Sequence, residues 1–304
     1  MNIVISVNDA YVNHAKVMLF SLCRHTQEDV CVYLLNRNLS RKQCAKFSLF
    51  LEKKCHASLY VLDMDEMFDD MPTVSSQFSV EMYYRLIAQF VLPNDLSRAL
   101  WMDADIVVLR DLSIFYNQCF EDSYYVVCED GLNGKFNVDE IKLKLGLNLE
   151  QKYFNSGVLL MNLDELRKDT SIDAIFTYCQ KYKDRIKYPD QDLLNVMYAH
   201  NVKYADWKKY NFQLHIYDNS TQSNDEIEDV VILHYTGRVK PWQLNRYTKF
   251  DRFYWKEMFL SGKQGEAVFG QLLSITMELL KKMYRRVVKF CLLYTSPSPR
   301  DRSL

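Results

Sequence analysis

Glycine and proline are scarce in this chain of 304 residues, with 8 Gly and 6 Pro. That scarcity excludes collagen-like, linker-rich and turn-repeat architectures. No apolar run approaches the ~20 residues that a membrane-spanning helix needs. Neither sign of charge prevails. Lys and Arg number 38 against 39 Asp and Glu, a net charge of −1, so the whole chain carries no basic field for nucleic acid. The 8 cysteines (Cys23, Cys31, Cys44, Cys55, Cys119, Cys128, Cys179 and Cys291) form no Cys-x-x-Cys pair and no Cys/His cluster with zinc spacing. Several lie inside apolar runs and read as small buried hydrophobes in a reducing compartment. The start, Met1 to Val7, has no basic stretch and no small-residue cleavage site, so it reads as a first strand rather than a leader. The expected location is the cytoplasm. What is abundant is apolar and aromatic: 48% hydrophobic residues, enough for a packed core, and 14% aromatic residues with 21 Tyr and 17 Phe.

Short apolar runs alternate with amphipathic segments through most of the chain. Residues 3–7, 30–35, 58–62, 99–102, 124–128, 158–161 and 230–234 read as strands. Between them, Val12, Ala15, Leu19, Leu22 and Cys23 share one helical face. Ser79 is placed to cap a segment carrying Met82, Leu86, Ala88 and Phe90, and Leu193, Val196, Met197 and His200 make another stripe. This alternation predicts a mostly parallel α/β sheet with right-handed crossovers. Ligands in such sheets bind beyond the carboxyl ends of the strands. The polar, acidic stretch 218–229 reads as a surface loop within one domain.

The end of the chain differs in kind. Phe269, Leu272, Leu273, Leu280, Met283 and Val287 make an apolar helical stripe, and Lys281, Lys282, Arg285, Arg286 and Lys289 cluster over its last turns. Such a basic amphipathic helix suits an anionic membrane surface, and equally suits docking on its own domain. The final segment, Cys291 to Leu304, resembles the in-frame translation of a sequencing adapter and is set aside as an artefactual tail. The expected organisation is a catalytic domain over 1–255, a helical basic segment over 256–290 and that tail over 291–304.

The site chemistry begins with another absence. There is no Gly-rich loop of the P-loop or dinucleotide type, so backbone amides are not the evident cradle for phosphate. A divalent cation carried on carboxylates is the alternative. Asp103-Ala104-Asp105 sits between two apolar runs, and in extended backbone residues two apart face one side. Taken alone, Asp-x-Asp is common in surface loops. Far downstream, His234 closes an apolar strand ahead of Gly237 and Lys240. Two carboxylates and an imidazole suit Mn²⁺ or Mg²⁺ with positions left open for phosphate.

Taken together, these residues resemble family 8 glycosyltransferases, retaining enzymes of the GT-A fold similar to bacterial lipopolysaccharide galactosyl- and glucosyltransferases. The similarity rests on Asn8-Asp-Ala-Tyr11, Tyr83-Tyr-Arg85, Asp103-Ala-Asp105, Phe154-Asn155-Ser-Gly157 through Asn162, Tyr188-Pro-Asp190-Gln191-Asp192, and the block from His234 to Trp242. The fold so implied is Rossmann-like, with a mostly parallel mixed sheet flanked by helices and a C-terminal helical segment.

By that resemblance Asp103, Asp105 and His234 bind the metal, and Gly237 and Lys240 contact phosphate. Asn8 and Tyr11 contact uridine, although the family commonly carries Asp at the Asn8 position. An Asn carbonyl still accepts from uracil N–H. Arg85, Asp103, Ala104, Asn155, Ser156 and Asp190 line the donor sugar, Gln191 lies beneath its anomeric carbon, and Asp130 stands between donor and acceptor. The implied activity is metal-dependent transfer of galactose or glucose from a UDP-sugar to a cell-surface glycan or lipid-linked saccharide at the inner face of the plasma membrane. Gln191 is a neutral amide and a poor nucleophile, so same-face attack is expected over a covalent route. The alternative is a non-catalytic nucleotide-sugar binder or scaffold. Each residue also has a plainer role open to it: Asn155-Ser-Gly157 as a turn, Asp190 as a helix cap, Tyr84 as core.

Overall fold

The computed structural model describes residues 1–64, 80–131, 138–214, 227–237, 240–243 and 248–295, the side chains of 80 and 289–295 excepted. Ser79, most of the 218–229 loop and residues 296–304 lie outside the described residues. Two compact units divide the chain, Met1–Thr236 and Gly237–Leu304.

The first unit is built on a seven-stranded sheet of β1 (Asn2–Ile5), β2 (Cys31–Asn36), β3 (Ser58–Asp63), β4 (Arg98–Met102), β6 (Tyr125–Glu129), β7 (Phe154–Asn162) and β8 (Val202–Ala205), in the order β3-β2-β1-β4-β7-β6-β8. A three-stranded sheet joins β5 (Ile106–Val108), β10 (Ile232–His234) and β9 (Phe212–Gln213) in the order β5-β10-β9. Each strand expected from sequence forms. β5, β8 and β9 are additional, and β7 begins at Phe154 rather than Val158.

The central strands of the large sheet, β1, β2, β4, β6 and β7, are buried on both faces, which period-2 alternation explains, whereas the edge strand β3 is largely exposed. Ile3, Ile5, Val32, Leu34, Leu100, Met102, Leu160 and Val126 point to one side, where they meet Ala15, Leu19 and Leu22 of the helix Val12–His25 and Phe47 and Leu51 of the helix Arg41–Cys55. Val4, Leu35, Trp101, Leu159, Met161 and Val127 point to the other. They pack with Leu86 of the helix Tyr84–Val91, Ile175 of the helix Ile172–Tyr182, and Leu193 and Met197 of the helix Pro189–Tyr198. Ser40 starts its helix with a reciprocal capping box, its hydroxyl taking the Gln43 N–H while the Gln43 side chain takes the Ser40 N–H.

One strand runs against the rest. β7 is antiparallel to both β4 and β6, with Met102 opposite Val158 and Val127 opposite Leu159. Its beginning therefore lies at the edge where β4 ends, and the Asp103 N–H donates to the Gly157 carbonyl at 2.9 Å. That reversal brings Asn155, Ser156 and Gly157 to the carboxyl edge of the parallel strands.

In the second unit the helices Asp251–Leu260 and Gln264–Thr295 are joined by a turn in which Gly262 has φ +104°. Gly270 leaves room for the Trp255 ring; a Cβ there would fall 2.3 Å from Trp255 Cη2. Phe269, Leu272, Leu280, Met283 and Val287 of the long helix are exposed. Among the described residues no helix is long and apolar enough to cross a membrane.

Candidate active site

At the carboxyl edge of β4 the chain turns at Asp103-Ala104-Asp105 and re-emerges as β5, which pairs with β10 in the smaller sheet. The two aspartates thus sit on a turn between sheets, not along one extended strand as their spacing suggests. The turn achieves the same convergence. Pairing of His234 with Ile106 aligns the imidazole with Asp105, whose Oδ1 lies 3.2 Å from His234 Nε2. Ligand atoms of Asp103, Asp105 and His234 all fall within 4.8 Å of one another.

The surroundings fit a metal ion. Two carboxylate oxygens and one imidazole nitrogen converge without a thiol, an oxygen-rich set with one borderline nitrogen that suits Mn²⁺ or Mg²⁺. Gly157 forms the floor, where a Cβ would come within 2.3 Å of His234 Cε1 and 2.9 Å of Asp103 Oδ2. Only a glycine lets β7 pass that close.

Arg85, nearly buried on the helix Tyr84–Val91, ties this cluster to a second group. Its guanidinium pairs with Asp103 Oδ1 and Asp190 Oδ2, each at 3.0 Å, and donates to the Ser156 carbonyl at 2.7 Å. It also lies over the Trp101 ring, 4.9 Å from the centroid, and the Trp101 indole N–H donates to Asp103 Oδ1 at 3.2 Å. Burial works against the guanidinium charge, but Asp103 and Asp190 outweigh it and raise the pKa above its ordinary value.

The second group is a buried web of amides and carboxylates. Gln191 Nε2 donates to Asp130 Oδ2 at 2.8 Å, and Asn155 Nδ2 donates to the same oxygen at 3.2 Å and to Gln191 Oε1 at 3.1 Å. The Ser156 N–H also donates to Gln191 Oε1, and the Ser156 hydroxyl donates to Asp190 Oδ2 at 2.9 Å. Asp190 and Gln191 open the helix Pro189–Tyr198, so their N-terminal position holds them against the start of β7. Asp192, one residue on, accepts from the Tyr153 hydroxyl and from the backbone N–H groups of Lys187 and Tyr188. Burial raises its pKa despite those bonds.

Asp103, Ala104, Asp105, His234, Arg85, Asn155, Ser156, Asp130, Asp190 and Gln191 are thus gathered at one edge of the sheets. Asn8 follows β1, the neighbour of β4. Its Oδ1 is buried and accepts no hydrogen bond among the described residues, which leaves it an acceptor in want of a donor. Tyr11 precedes the first helix and meets His14 edge-on. Tyr84 is fully buried core, as its plainer role implies. Gly237, at φ +81°, and Lys240 belong to the second unit.

Sequence reasoning missed Trp101 and Asn211. Asn211 Oδ1 lies 2.8 Å from His234 Nδ1, and Asn211 Nδ2 donates to Asn155 Oδ1 at 2.9 Å. No spacing marks Asn211; only the parallel pairing of β9 with β10 brings it beside the histidine.

Comparison with known proteins gives this arrangement its relatives. The model of glycosyl transferase family 8 matches residues 2–246. A lipopolysaccharide 1,2-glucosyltransferase of Escherichia coli is 33% identical over 197 residues, 60% of this chain and 55% of the relative. The chain thus spans about half the length of that protein. A putative glycosyltransferase of Haemophilus influenzae is 24% identical over 245 residues, 80% of this chain and 73% of the relative. Among solved structures, the galactosyltransferase LgtC in complex with donor and acceptor sugar analogs superposes with a TM-score of 0.70 at 24% identity. It covers 86% of this chain and 95% of LgtC. The fold is that of the GT-A glycosyltransferases, and the chain belongs to glycosyl transferase family 8.

Proposed function

We propose that this protein is a divalent-metal-dependent, retaining hexosyltransferase that moves galactose or glucose from a UDP-sugar to a cell-surface glycan or lipid-linked saccharide. The observation that carries the reading is the meeting of two clusters through Arg85. One is the candidate metal-donor set Asp103, Asp105 and His234; the other is the Asp130–Gln191–Asn155–Asp190 web. A phosphate-binding metal beside a pocket of fixed sugar-hydroxyl partners is what such a transfer requires. The lipopolysaccharide role of the Escherichia coli relative favours an acceptor of that class.

Asp103, Asp105 and His234 would hold the ion, which when bound supplies charge stabilisation to the leaving diphosphate. By the family resemblance Lys240 would supply a cation for phosphate and Gly237 a close backbone approach. The unsatisfied Asn8 Oδ1 accepts from the uracil N–H, and Tyr11 offers its ring. Arg85, Ser156 and Asp190 hold the sugar's hydroxyls, and Asn155, whose amide is engaged by Asp130, Gln191, Gly157 and Asn211, lines the pocket and keeps its partners in place.

Transfer breaks the bond from the anomeric carbon to the diphosphate oxygen and forms one to the acceptor oxygen on the same face. The acceptor proton passes to the departing phosphate. Gln191 Oε1 already accepts from Ser156 N–H and Asn155 Nδ2, which ties up the lone pairs that a covalent intermediate would need. The Asp130 carboxylate supplies the negative charge that stabilises the positive sugar ring, and Gln191, whose Nε2 holds Asp130 Oδ2, supports it as an uncharged dipole. The basic end of the long C-terminal helix, at Lys281, Lys282, Arg285 and Arg286 beside exposed Met283 and Val287, would hold the enzyme to the anionic inner face of the plasma membrane.

The test is release of UDP from a panel of nucleotide sugars, with and without Mn²⁺, beside Asp103→Asn. Metal-dependent release from one hexose donor, lost by at least about 100-fold in the variant, is expected. Metal-dependent UDP binding without release, even with saccharide acceptors supplied, would replace the enzyme by a nucleotide-sugar binder. Release that is indifferent to metal would overturn the reading.

A further inference from the structure

The amide web has a direction that the backbone dictates. A backbone N–H can only donate. The Gly157 N–H points to Asn155 Oδ1 at 3.0 Å, and the Ser156 N–H points to Gln191 Oε1 at 3.1 Å. These two bonds fix which end of each side-chain amide is oxygen. Asn155 Nδ2 must then donate, and both its hydrogens are taken, by Asp130 Oδ2 and Gln191 Oε1. Asn155 Oδ1, facing Asn211, must be met by the Asn211 amino group at 2.9 Å. The other end of Asn211 is therefore its carbonyl oxygen, and it is this oxygen that faces His234 Nδ1 at 2.8 Å.

We infer that Asn211 is a positioning residue: it holds a proton on His234 Nδ1 and so leaves Nε2 to face the place where Asp103 and Asp105 would hold an ion. A carbonyl oxygen facing an unprotonated Nδ1 would set lone pair against lone pair, so the bond forms only when Nδ1 carries hydrogen. A histidine that ligates a metal through one nitrogen is oriented by the partner of the other. Carboxylates and backbone carbonyls commonly fill that place. Here a carboxamide fills it, fully buried and itself held by Asn155. The choice has a consequence. A carboxylate could orient His234 but could not donate onward, whereas Asn211 links His234 to Asn155 and through it to Asp130 and Gln191 in one run of donors. Metal site and sugar site are then locked in a single register.

This inference rests on the metal reading of Asp103, Asp105 and His234, and its test is arranged so that the two can fail apart. With ¹⁵N-histidine label in the full-length, metal-free protein, long-range proton–nitrogen spectra report which ring nitrogen is protonated; His234→Gln assigns the signal. Nδ1 of His234 is expected to be protonated in the parent. An unprotonated Nδ1 would overturn the proposal, whatever the enzyme transfers. Mn²⁺ titrated in the presence of UDP, followed by its electron spin resonance, is the second readout. Asn211→Leu is expected to weaken Mn²⁺ binding about 10–100-fold and to release the Nδ1 preference. Asn211→Asp, which keeps the acceptor and loses the onward donor, is expected to bind Mn²⁺ within about threefold of the parent while sugar transfer falls. A folded Asn211→Leu that binds Mn²⁺ as the parent does would overturn the proposal. Should that variant not fold, the parent spectrum and Asn211→Asp decide, and Mn²⁺ binding by Asn211→Asp as weak as that of His234→Gln would also overturn it.

Discussion

Gly157→Ala is the smallest change that should disable the proposed metal centre, and its size follows from the structure. The added Cβ would sit 2.3 Å from His234 Cε1, 2.9 Å from Asp103 Oδ2 and 3.1 Å from Asn155 Oδ1. Non-bonded carbons settle at about 3.5–4.0 Å, so the shortfall against the imidazole is about 1.2 Å. Neither side yields easily. The ring is held through Nδ1 by Asn211, and β7 is fixed in the ladder by Met102–Val158 pairing and by the Asp103 N–H on the Gly157 carbonyl. Relief must therefore come from prising His234 and Asp103 apart by about 1 Å, against a tolerance of about 0.2 Å in metal–ligand distance. The expected result is a loss of Mn²⁺ affinity, with UDP present, of about 100-fold or more. Overpacking should also cost about 1–3 kcal/mol in urea unfolding. Gly265→Ala is the contrast, since an added Cβ there meets nothing within 4 Å. It lies in a helix, so it should leave Mn²⁺ binding alone and stabilise by up to about 1 kcal/mol. Titration calorimetry on both variants decides the matter. A Gly157→Ala protein that folds like the parent and binds Mn²⁺ within about threefold of it would refute the reasoning.

Asp192 should make stability depend on pH. Its folded pKa is raised by burial above an unfolded value of about 3.9, so the folded state resists ionising it. Its contribution is neutral below the unfolded pKa, grows unfavourable as pH rises toward the raised folded pKa, and is level beyond. Asp192→Asn should remove this fall, giving a flatter stability–pH curve by urea titration; parallel curves would show that Asp192 does not titrate in this way. For the C-terminal helix, replacing Lys281, Lys282, Arg285 and Arg286 by Glu should weaken co-sedimentation with anionic vesicles by about 100-fold or more, at about 1 kcal/mol per basic residue. Equal co-sedimentation of the two proteins would remove the membrane from the account.

What sequence reasoning could reach, and what it could not, follows from how each feature is encoded. The convergence of Asp103, Asp105 and His234 was legible because their side-chain chemistry is scarce at the ends of apolar runs, and three candidate donors need only meet. The path of convergence was not legible. Ile106–Val108 continues the apolar run after Asp105, and hydrophobicity alone cannot tell a strand that goes on from one that turns into a second sheet. The same limit hid the direction of β7, whose residues from Phe154 to Met161 are all buried. A strand covered on both faces has no alternation to reveal its neighbours, so parallel and antiparallel placement look alike. Yet the reversal is what delivers Asn155 and Gly157 to the carboxyl edge. Asn211 lies further still from any one-dimensional signal. Its value resides neither in its type nor in its spacing from His234, but in the pairing of Phe212 with Leu233 and in two backbone N–H groups on another strand that set which way two amides point. A residue that supplies a ligand is marked by its own chemistry, whereas one that aims a ligand is marked only by what the folded chain places on either side of it.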